Sequence, residues 1–145
     1  MFNPIDYRRS EDLRDEEYAF TLPIGRRYAH YLTRTMTGRC PSLHKEMPQP
    51  IAQINEQDAV KLGFEAGGRA RIVSRHGEVE TFVRPGDIVP EGAIFMDFHF
   101  AEANSNVLLG TSLDPVSKTP DYKLCAVRIE NPNGDHVESE GMDMV

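Results

Sequence analysis

The segment RARIVSRHGEVETFVR, residues 69–84, constrains the fold more than any other part of the chain. In its first half Ala70, Ile72 and Ser74 alternate with Arg and Val residues, and its second half is rich in Val, Thr and Phe. Alternation with a period of two is typical of a strand that is buried on one face, and the His76–Gly77 pair is typical of a tight turn. The segment therefore predicts a β-hairpin.

Four further apolar runs have the length and composition of single strands. The run at 124–130 places Cys125, Val127 and Ile129 on one face. Together with the hairpin they give five or six short strands, which predicts a mainly β fold, either a barrel or a sandwich. The alternation of strands and helices is too sparse for a doubly wound sheet. The four runs are YAFTLPI (18–24), IAQI (51–54), AIFM (93–96) and LCAVRIE (124–130).

One or two short helices are expected between these strands. Asn55 is a good N-cap for the segment NEQDAVKLG, Asp58 stands at the capping-box position, and Gly63 can end the helix in the left-handed conformation. The segment 40–50 has room for one helical turn, and the segment 97–110 for a short helix through Asn106. Residues 85–92 and 111–123 are expected to be loops.

The length of 145 residues fits one domain with a real core. Residues 1–17 are charged and aperiodic, which predicts an arm or linker before a domain at 18–130. Residues 131–145 are acidic and poor in apolar side chains, which predicts a disordered tail. No apolar run approaches the roughly 20 residues that span a bilayer, and no signal-peptide pattern opens the chain, so a cytoplasmic protein without membrane contact is expected.

Residues 25–40, GRRYAHYLTRTMTGRC, form a basic strip in a chain of net charge −7. No Asp or Glu lies between Glu17 and Glu46. Because guanidinium groups match phosphate oxygens, the strip indicates a compact anionic ligand, whereas nucleic acid needs an extended basic surface. A second interpretation stays open, in which the arginines pair with the acids at 11–17. The arginine and histidine members of the strip are Arg26, Arg27, His30, Arg34 and Arg39.

The chain shows no pattern of a self-sufficient active site. Its five histidines have no metal-ligand spacing, and the nucleophile-elbow, P-loop and dinucleotide-fold motifs are missing. Glu78 and Glu80 are best explained as exposed strand residues. Cys40 and Cys125 match no zinc pattern and are expected to be reduced. A second polar cluster, SKTPDYK at 117–123, is either a ligand contact or a plain exposed loop.

The order of these segments resembles that of a known family. GRRYAHYLTRTMTGR is followed by AQINEQDAVKLGFEAGGRARIVSRHGEVE, then by GAIFMDFHFAEANSNVLL and LDPVSKTPDYKLCAVRIE. Over about residues 18–130 the chain resembles the C-terminal dinucleotide-binding domain of the molybdopterin oxidoreductases, and within them the catalytic α subunit of formate dehydrogenase. The first and last of these segments are the specific ones. The segment containing the hairpin is shared more widely.

The resemblance implies a six-stranded double-psi β-barrel that binds a bis(molybdopterin guanine dinucleotide) cofactor with molybdenum or tungsten. Carried over from the family, the turn after the first strand contacts the cofactor's pterin and phosphate groups, and the loop after GAIFM and the DYK turn complete the site. Close relatives can carry a carboxylate at the position of Arg27. The implied cofactor-binding residues are Gly25, Arg26, Arg27, His30, Phe98, His99, Asn106, Tyr122 and Lys123.

The resemblance also implies what lies outside this chain. In the family the metal-ligating Cys or selenocysteine, its catalytic partners and the iron–sulfur cysteines belong to upstream domains. The expected partner is therefore the rest of the enzyme, and the isolated chain is not expected to oxidise formate. Two alternatives stay open: the small barrel subunit of a formylmethanofuran dehydrogenase, and a cofactor-free double-psi barrel that binds proteins. FHFAEANSN and LDPVSKTP favour formate dehydrogenase over the former.

Overall fold

The computed structural model describes residues 12–110, 113–114, 116–119, 121 and 123–132. Six short strands form a closed barrel: β1 (Phe20–Gly25), β2 (Ile51–Asn55), β3 (Arg69–Ser74), β4 (Glu78–Gly86), β5 (Ile94–Asp97) and β6 (Leu124–Glu130). Their order around the barrel is β1-β5-β2-β4-β3-β6, with β6 closing on β1. The structure confirms the predicted mainly β fold, a six-stranded double-psi β-barrel with short helices.

Two parallel pairings give the barrel its topology. β1 runs parallel to β5 and β2 runs parallel to β4, while the other neighbouring strands are antiparallel. β3 and β4 form the predicted hairpin, with Val73 opposite Glu78 and a 2.9 Å bond from Ser74 N to Gly77 O closing the turn. Parallel neighbours run in the same direction, so the C-terminal ends of β1 and β5 lie side by side.

Two short α-helices, α1 (Pro41–Glu46) and α2 (Glu56–Lys61), and three 3₁₀ turns lie in the connections. The Asn55 side chain accepts a bond from Gln57 N at 2.9 Å, and Gly63 has φ +69°, as predicted for α2. Asp58 differs from the prediction, because its Oδ2 accepts a 2.7 Å bond from Gly92 N. It fastens α2 to the loop before β5 instead of completing a capping box. The 3₁₀ turns are Thr37–Arg39, Ala101–Ala103 and Ser105–Leu108.

β4 is two residues longer than predicted, because Pro85 and Gly86 continue its parallel pairing with β2. A proline within a strand lacks the N–H that a neighbour on that side would need. β3 begins at Arg69, opposite Phe82, so β3 does not extend alongside Pro85. The missing N–H therefore costs no hydrogen bond to β3.

The barrel interior is filled by alternate residues of all six strands. Leu22, Ile72, Ile94 and Val127 have no measurable exposure, and Phe64 from the loop after α2 packs among them. Burying a side chain of this size stabilises the fold by roughly 1.5–3 kcal/mol. Buried and more exposed residues alternate along the strands as the sequence predicts. The charged residues of the basic strip are not part of this core.

The described part of the predicted arm, residues 12–17, lies against the β3–β4 turn and β6. Arg75 donates to Asp15, and Arg128 donates to Glu17 at 2.7 Å. The Tyr18 ring lies 4.6 Å and 5.3 Å from these two guanidinium carbons. The Tyr18 backbone N–H, followed by Arg75, lowers the pKa of Asp15. Residues 1–11, and the predicted tail beyond residue 132, lie outside the described residues, so both boundary predictions stay predictions.

Candidate functional site

A groove of about 670 Å³ opens at one end of the barrel, where three parts of the chain meet. Parallel pairing places Gly25, the last residue of β1, opposite Asp97, the last residue of β5. The start of β6 joins them, because Ile24 N donates to Lys123 O at 3.0 Å. The groove is lined by Ile24, Gly25, Arg26, Phe98, Asn106 and Lys123.

The loop after β5 is held so that Asn106 reaches this groove. The buried Ser105 hydroxyl donates to Asp97 O at 3.1 Å, which ties the second 3₁₀ turn of the loop to the end of β5. The Asn104 side chain accepts a bond from Asn106 N at 3.2 Å and caps that turn. Ser105 therefore anchors the turn, and the neighbouring Asn106 is presented on its exposed side.

The groove carries positive charge, and no described residue forms an ion pair with it. Within the described residues neither Arg26 nor Lys123 forms an ion pair, and both are exposed. The Arg26 guanidinium lies 6.0 Å from the Phe98 ring centroid. A Cβ at Gly25 would come within 2.8 Å of the Phe95 ring, so the backbone here has room for glycine but not for a side chain facing that ring. The groove therefore presents two cationic side chains, the Asn106 amide, the Phe98 ring and the backbone of Gly25.

A buried set of polar contacts holds the turn that carries Arg26. The Arg27 guanidinium contacts Asp97 Oδ2 at 3.4 Å, and the Arg27 backbone N–H donates to His99 Nε2 at 2.8 Å. His99 Nδ1 donates to Leu32 O at 2.5 Å, which assigns the proton of this imidazole to Nδ1. Asp97 Oδ1 accepts a bond from His99 N at 3.2 Å. Arg27 and His99 thus bind the strip to the end of β5 and do not line the groove.

His30 does not reach the groove either. It is buried, its Nε2 bonds to Met47 O at 2.8 Å, and its Nδ1 bonds to Thr37 Oγ1 at 3.1 Å. Its ring packs edge-on against Phe100. His30 is one of the residues that the resemblance implies as cofactor contacts, but both of its ring nitrogens bond within the strip and its following loop, and it is not among the residues that line this groove. Its contact with the cofactor stays a prediction. Tyr122 lies outside the described residues, so its predicted role is untested.

The ion pairs of the described arm acids join Asp12 and Asp15 to Arg75 at the β3–β4 turn, and Glu17 to Arg128 on β6, instead of to the strip. Glu11 lies outside the described residues, so the second interpretation stays open for it. Arg34 instead contacts Glu102 at 3.3 Å and lies 4.3 Å from the Phe100 ring. Within the described residues Arg39 forms no ion pair.

Sequence reasoning missed Asp97, which is buried and pairs with Arg27. A single Asp directly after the buried run AIFM could have indicated it, since an acid at the end of a core strand needs a buried partner. Of the second polar cluster at 117–123, Lys123 lines the groove, and Lys118 is not among its lining residues. The Ser117 N–H donates to Asp114 Oδ1 at 2.6 Å, within the loop itself.

The two thiols have different surroundings, and both cysteines are free, as predicted. Burial raises the pKa of the Cys125 thiol to about 12. The Ser42 hydroxyl, followed by the Leu43 backbone N–H, lowers the pKa of the partly exposed Cys40. The described residues contain no group of three or more metal-ligating side chains. Within them there is also no helix with the length and apolar character of a membrane span.

Comparison with known proteins relates the chain to formate dehydrogenases. It is 44% identical over 127 residues to the F420-dependent formate dehydrogenase subunit alpha of Methanocaldococcus jannaschii. It is 40% identical over 129 residues to the F420-dependent formate dehydrogenase 2 subunit alpha of Methanococcus maripaludis. These matches cover 88% and 89% of this chain but only 19% of each relative. The chain thus spans about a fifth of the length of these curated relatives.

A solved structure and a family model support the same relationship. Acetylene hydratase from Pelobacter acetylenicus superposes with a TM-score of 0.67 at 19% identity, over 77% of this chain and 18% of that one, which shows a shared fold. The family model of the molydopterin dinucleotide binding domain matches residues 20–126, nearly the whole barrel and both sides of the groove. This chain belongs to the molydopterin dinucleotide binding domain family.

Proposed function

We propose that this domain binds a molybdopterin guanine dinucleotide cofactor of a formate dehydrogenase through the groove at the ends of β1 and β5. One observation carries the proposal: Arg26 and Lys123, almost a hundred residues apart, line the same groove without an ion-pair partner among the described residues. Cations that converge without a counterion favour an anionic ligand, and the pyrophosphate of a dinucleotide supplies that charge.

The lining residues fit the parts of such a cofactor. The Arg26 guanidinium and the Lys123 ammonium donate to phosphate oxygens, and the Asn106 amide offers both a donor and an acceptor to a pterin edge. The Phe98 ring provides an apolar face for a planar ring system. Gly25 keeps the end of β1 at the groove wall, because a Cβ at this position would meet the Phe95 ring.

Arg27, His30 and His99 serve the same site indirectly. Each is held in a buried contact that fixes the path of the strip, so we assign them to positioning the turn at Arg26. Tyr122 stays a proposed contact because it neighbours Lys123 in sequence. The bound molybdenum or tungsten centre supplies the electron transfer, and its ligands and the catalytic residues belong to parts of the enzyme outside these residues.

Two other functions are less well supported. A formylmethanofuran dehydrogenase subunit would share the barrel, but the relatives named above are formate dehydrogenase alpha subunits, and FHFAEANSN and LDPVSKTP favour the same enzyme. A cofactor-free interaction module is less well supported, because the chain matches the family model of a molydopterin dinucleotide binding domain over residues 20–126. A cytoplasmic location and the absence of membrane contact remain part of the proposal.

The test is the cofactor content of the enzyme that contains this domain. Arg26→Ala and Lys123→Ala should each lower the retained pterin, since a charge-assisted hydrogen bond is worth roughly 1.5–3 kcal/mol, or about tenfold or more in affinity. Arg39→Ala removes the same charge from the same strip away from the groove, so it is the matched control. Pterin per polypeptide is measured by fluorescence after oxidation. Full occupancy in both groove variants would refute the assignment.

A further inference from the structure

A second cavity of about 570 Å³ lies beside the groove on the outside of the barrel. Its wall is apolar, formed by side chains of β1, the loop before β5, and β5 itself, including Pro23, Pro90 and Phe95. Tyr28 and Ile88 line it and are 83% and 80% exposed. Large apolar side chains that are exposed together around a concave surface are typical of an interaction site.

Two cations stand at this cavity without a partner among the described residues. Arg84, near the end of β4, and Arg26, at the end of β1, both line it and form no ion pair there. The third lining arginine, Arg27, is already neutralised by Asp97. A segment that fits this surface therefore carries an apolar side chain for the cavity and a carboxylate for Arg84.

Arg26 also connects the cavity to the cofactor groove, because it lines both. Whatever covers the cavity lies next to the proposed cofactor. The relatives of this chain are about five times its length, so in those proteins most of the polypeptide lies outside the matched domain. An apolar cavity next to a cofactor groove is a surface that such a polypeptide can cover.

We propose that the cavity between Tyr28, Arg84 and Ile88 is the docking site for an acidic, apolar-tipped segment of the formate dehydrogenase alpha subunit from outside residues 1–145. The inference rests on the proposed function for its choice of partner. The apolar tip fills the space against Phe95, and the carboxylate pairs with Arg84. The docked segment holds the domain beside the rest of the enzyme and shields Arg26 from solvent.

The test is site-specific photo-crosslinking in the intact enzyme, with the photoreactive residue at position 88. Crosslinked peptides identified by mass spectrometry are expected to come from the alpha subunit outside residues 1–145 and to contain Asp or Glu. Arg84→Glu places like charges together and should reduce the yield roughly tenfold. The same photoreactive residue at Val60, which is 81% exposed on α2 and away from the cavity, is the control.

The remaining outcomes overturn the proposal. They are a crosslink to residues 1–145 of the same or a second copy, a crosslink to a polypeptide outside the enzyme, equal yield from positions 60 and 88, and no crosslink at all. The pterin content of the same preparations reports the proposed function separately. A preparation with full pterin but without the crosslink would reject the docking site and leave the proposed function standing.

Discussion

Replacing Asp97 with Asn tests the buried contacts beneath the proposed site. The change preserves side-chain volume and one carbonyl oxygen, so the bond from His99 N to this side chain can persist. It removes the charge that faces the Arg27 guanidinium at 3.4 Å. The side chains of Asp97 and Arg27 are only 1% and 12% exposed, so water cannot fully replace the lost carboxylate.

The expected cost follows from this burial. Removing one member of a buried ion pair costs roughly 3–5 kcal/mol, because the other charge is left uncompensated. The contact is long and Arg27 retains some solvent access, so we expect a loss of about 2–3 kcal/mol in the free energy of unfolding. For a chain of this size, that corresponds to a fall in melting temperature of roughly 7–10 °C.

Urea denaturation of the 145-residue chain, followed by circular dichroism, measures this change. Glu78→Gln makes the same chemical substitution at an exposed strand position and should change stability by less than about 0.5 kcal/mol. In an Arg27→Met background, Asp97→Asn should cost less than about 1 kcal/mol, because no buried cation is left unpaired. An equal loss in both backgrounds, or a loss below about 1 kcal/mol in the wild type, would refute the reasoning.

Three further results are expected. Gly25→Ala should destabilise the chain by about 1–3 kcal/mol in denaturation, since its Cβ would lie 2.8 Å from the Phe95 ring, whereas Gly86→Ala, with nothing within 4 Å, should lack this clash. Iodoacetamide should modify native protein at Cys40 alone, because burial keeps Cys125 protonated; mass spectrometry showing Cys125 labelled first would contradict this. The pKa of Asp15 is lowered in the fold, so the stability that its carboxylate contributes is complete above about pH 4 and is lost as the pH falls through the folded pKa. Asp15→Asn should remove this part of the acid sensitivity of unfolding. An unchanged dependence of stability on pH in the variant would contradict the prediction.

Local features of this fold could be predicted from the sequence because they depend on neighbouring residues. The hairpin at 69–84 follows from its alternation and its His76–Gly77 turn, and α2 follows from Asn55 and Gly63. The parallel pairing of β1 with β5 joins segments about 70 residues apart, and no local pattern encodes it. The resemblance to the family, not the periodicity, supplied that topology.

The candidate site could be predicted only in part, because it too combines segments that are far apart in the sequence. Arg26 could be singled out as an uncompensated charge of the basic strip, and Lys123 as a member of the polar cluster at 117–123. The structure brings them to one groove. The family resemblance implied His30 and His99 as ligand contacts. Tertiary packing buries both rings and bonds their nitrogens within the fold, so their contact with the cofactor stays a prediction. The apolar cavity at Ile88 could not be predicted, because its lining residues come from several segments that are distant in the sequence.

The most direct test of the central claim is hydrogen exchange of the enzyme with and without its pterin cofactor. We predict that cofactor binding slows amide exchange in the segments around Gly25, Phe98, Asn106 and Lys123, which line the proposed groove. The hairpin at 69–84 should exchange equally in both forms and serves as the internal reference. Unchanged exchange at the groove segments, or protection confined to other parts of the barrel, would contradict the proposal that this groove binds the cofactor.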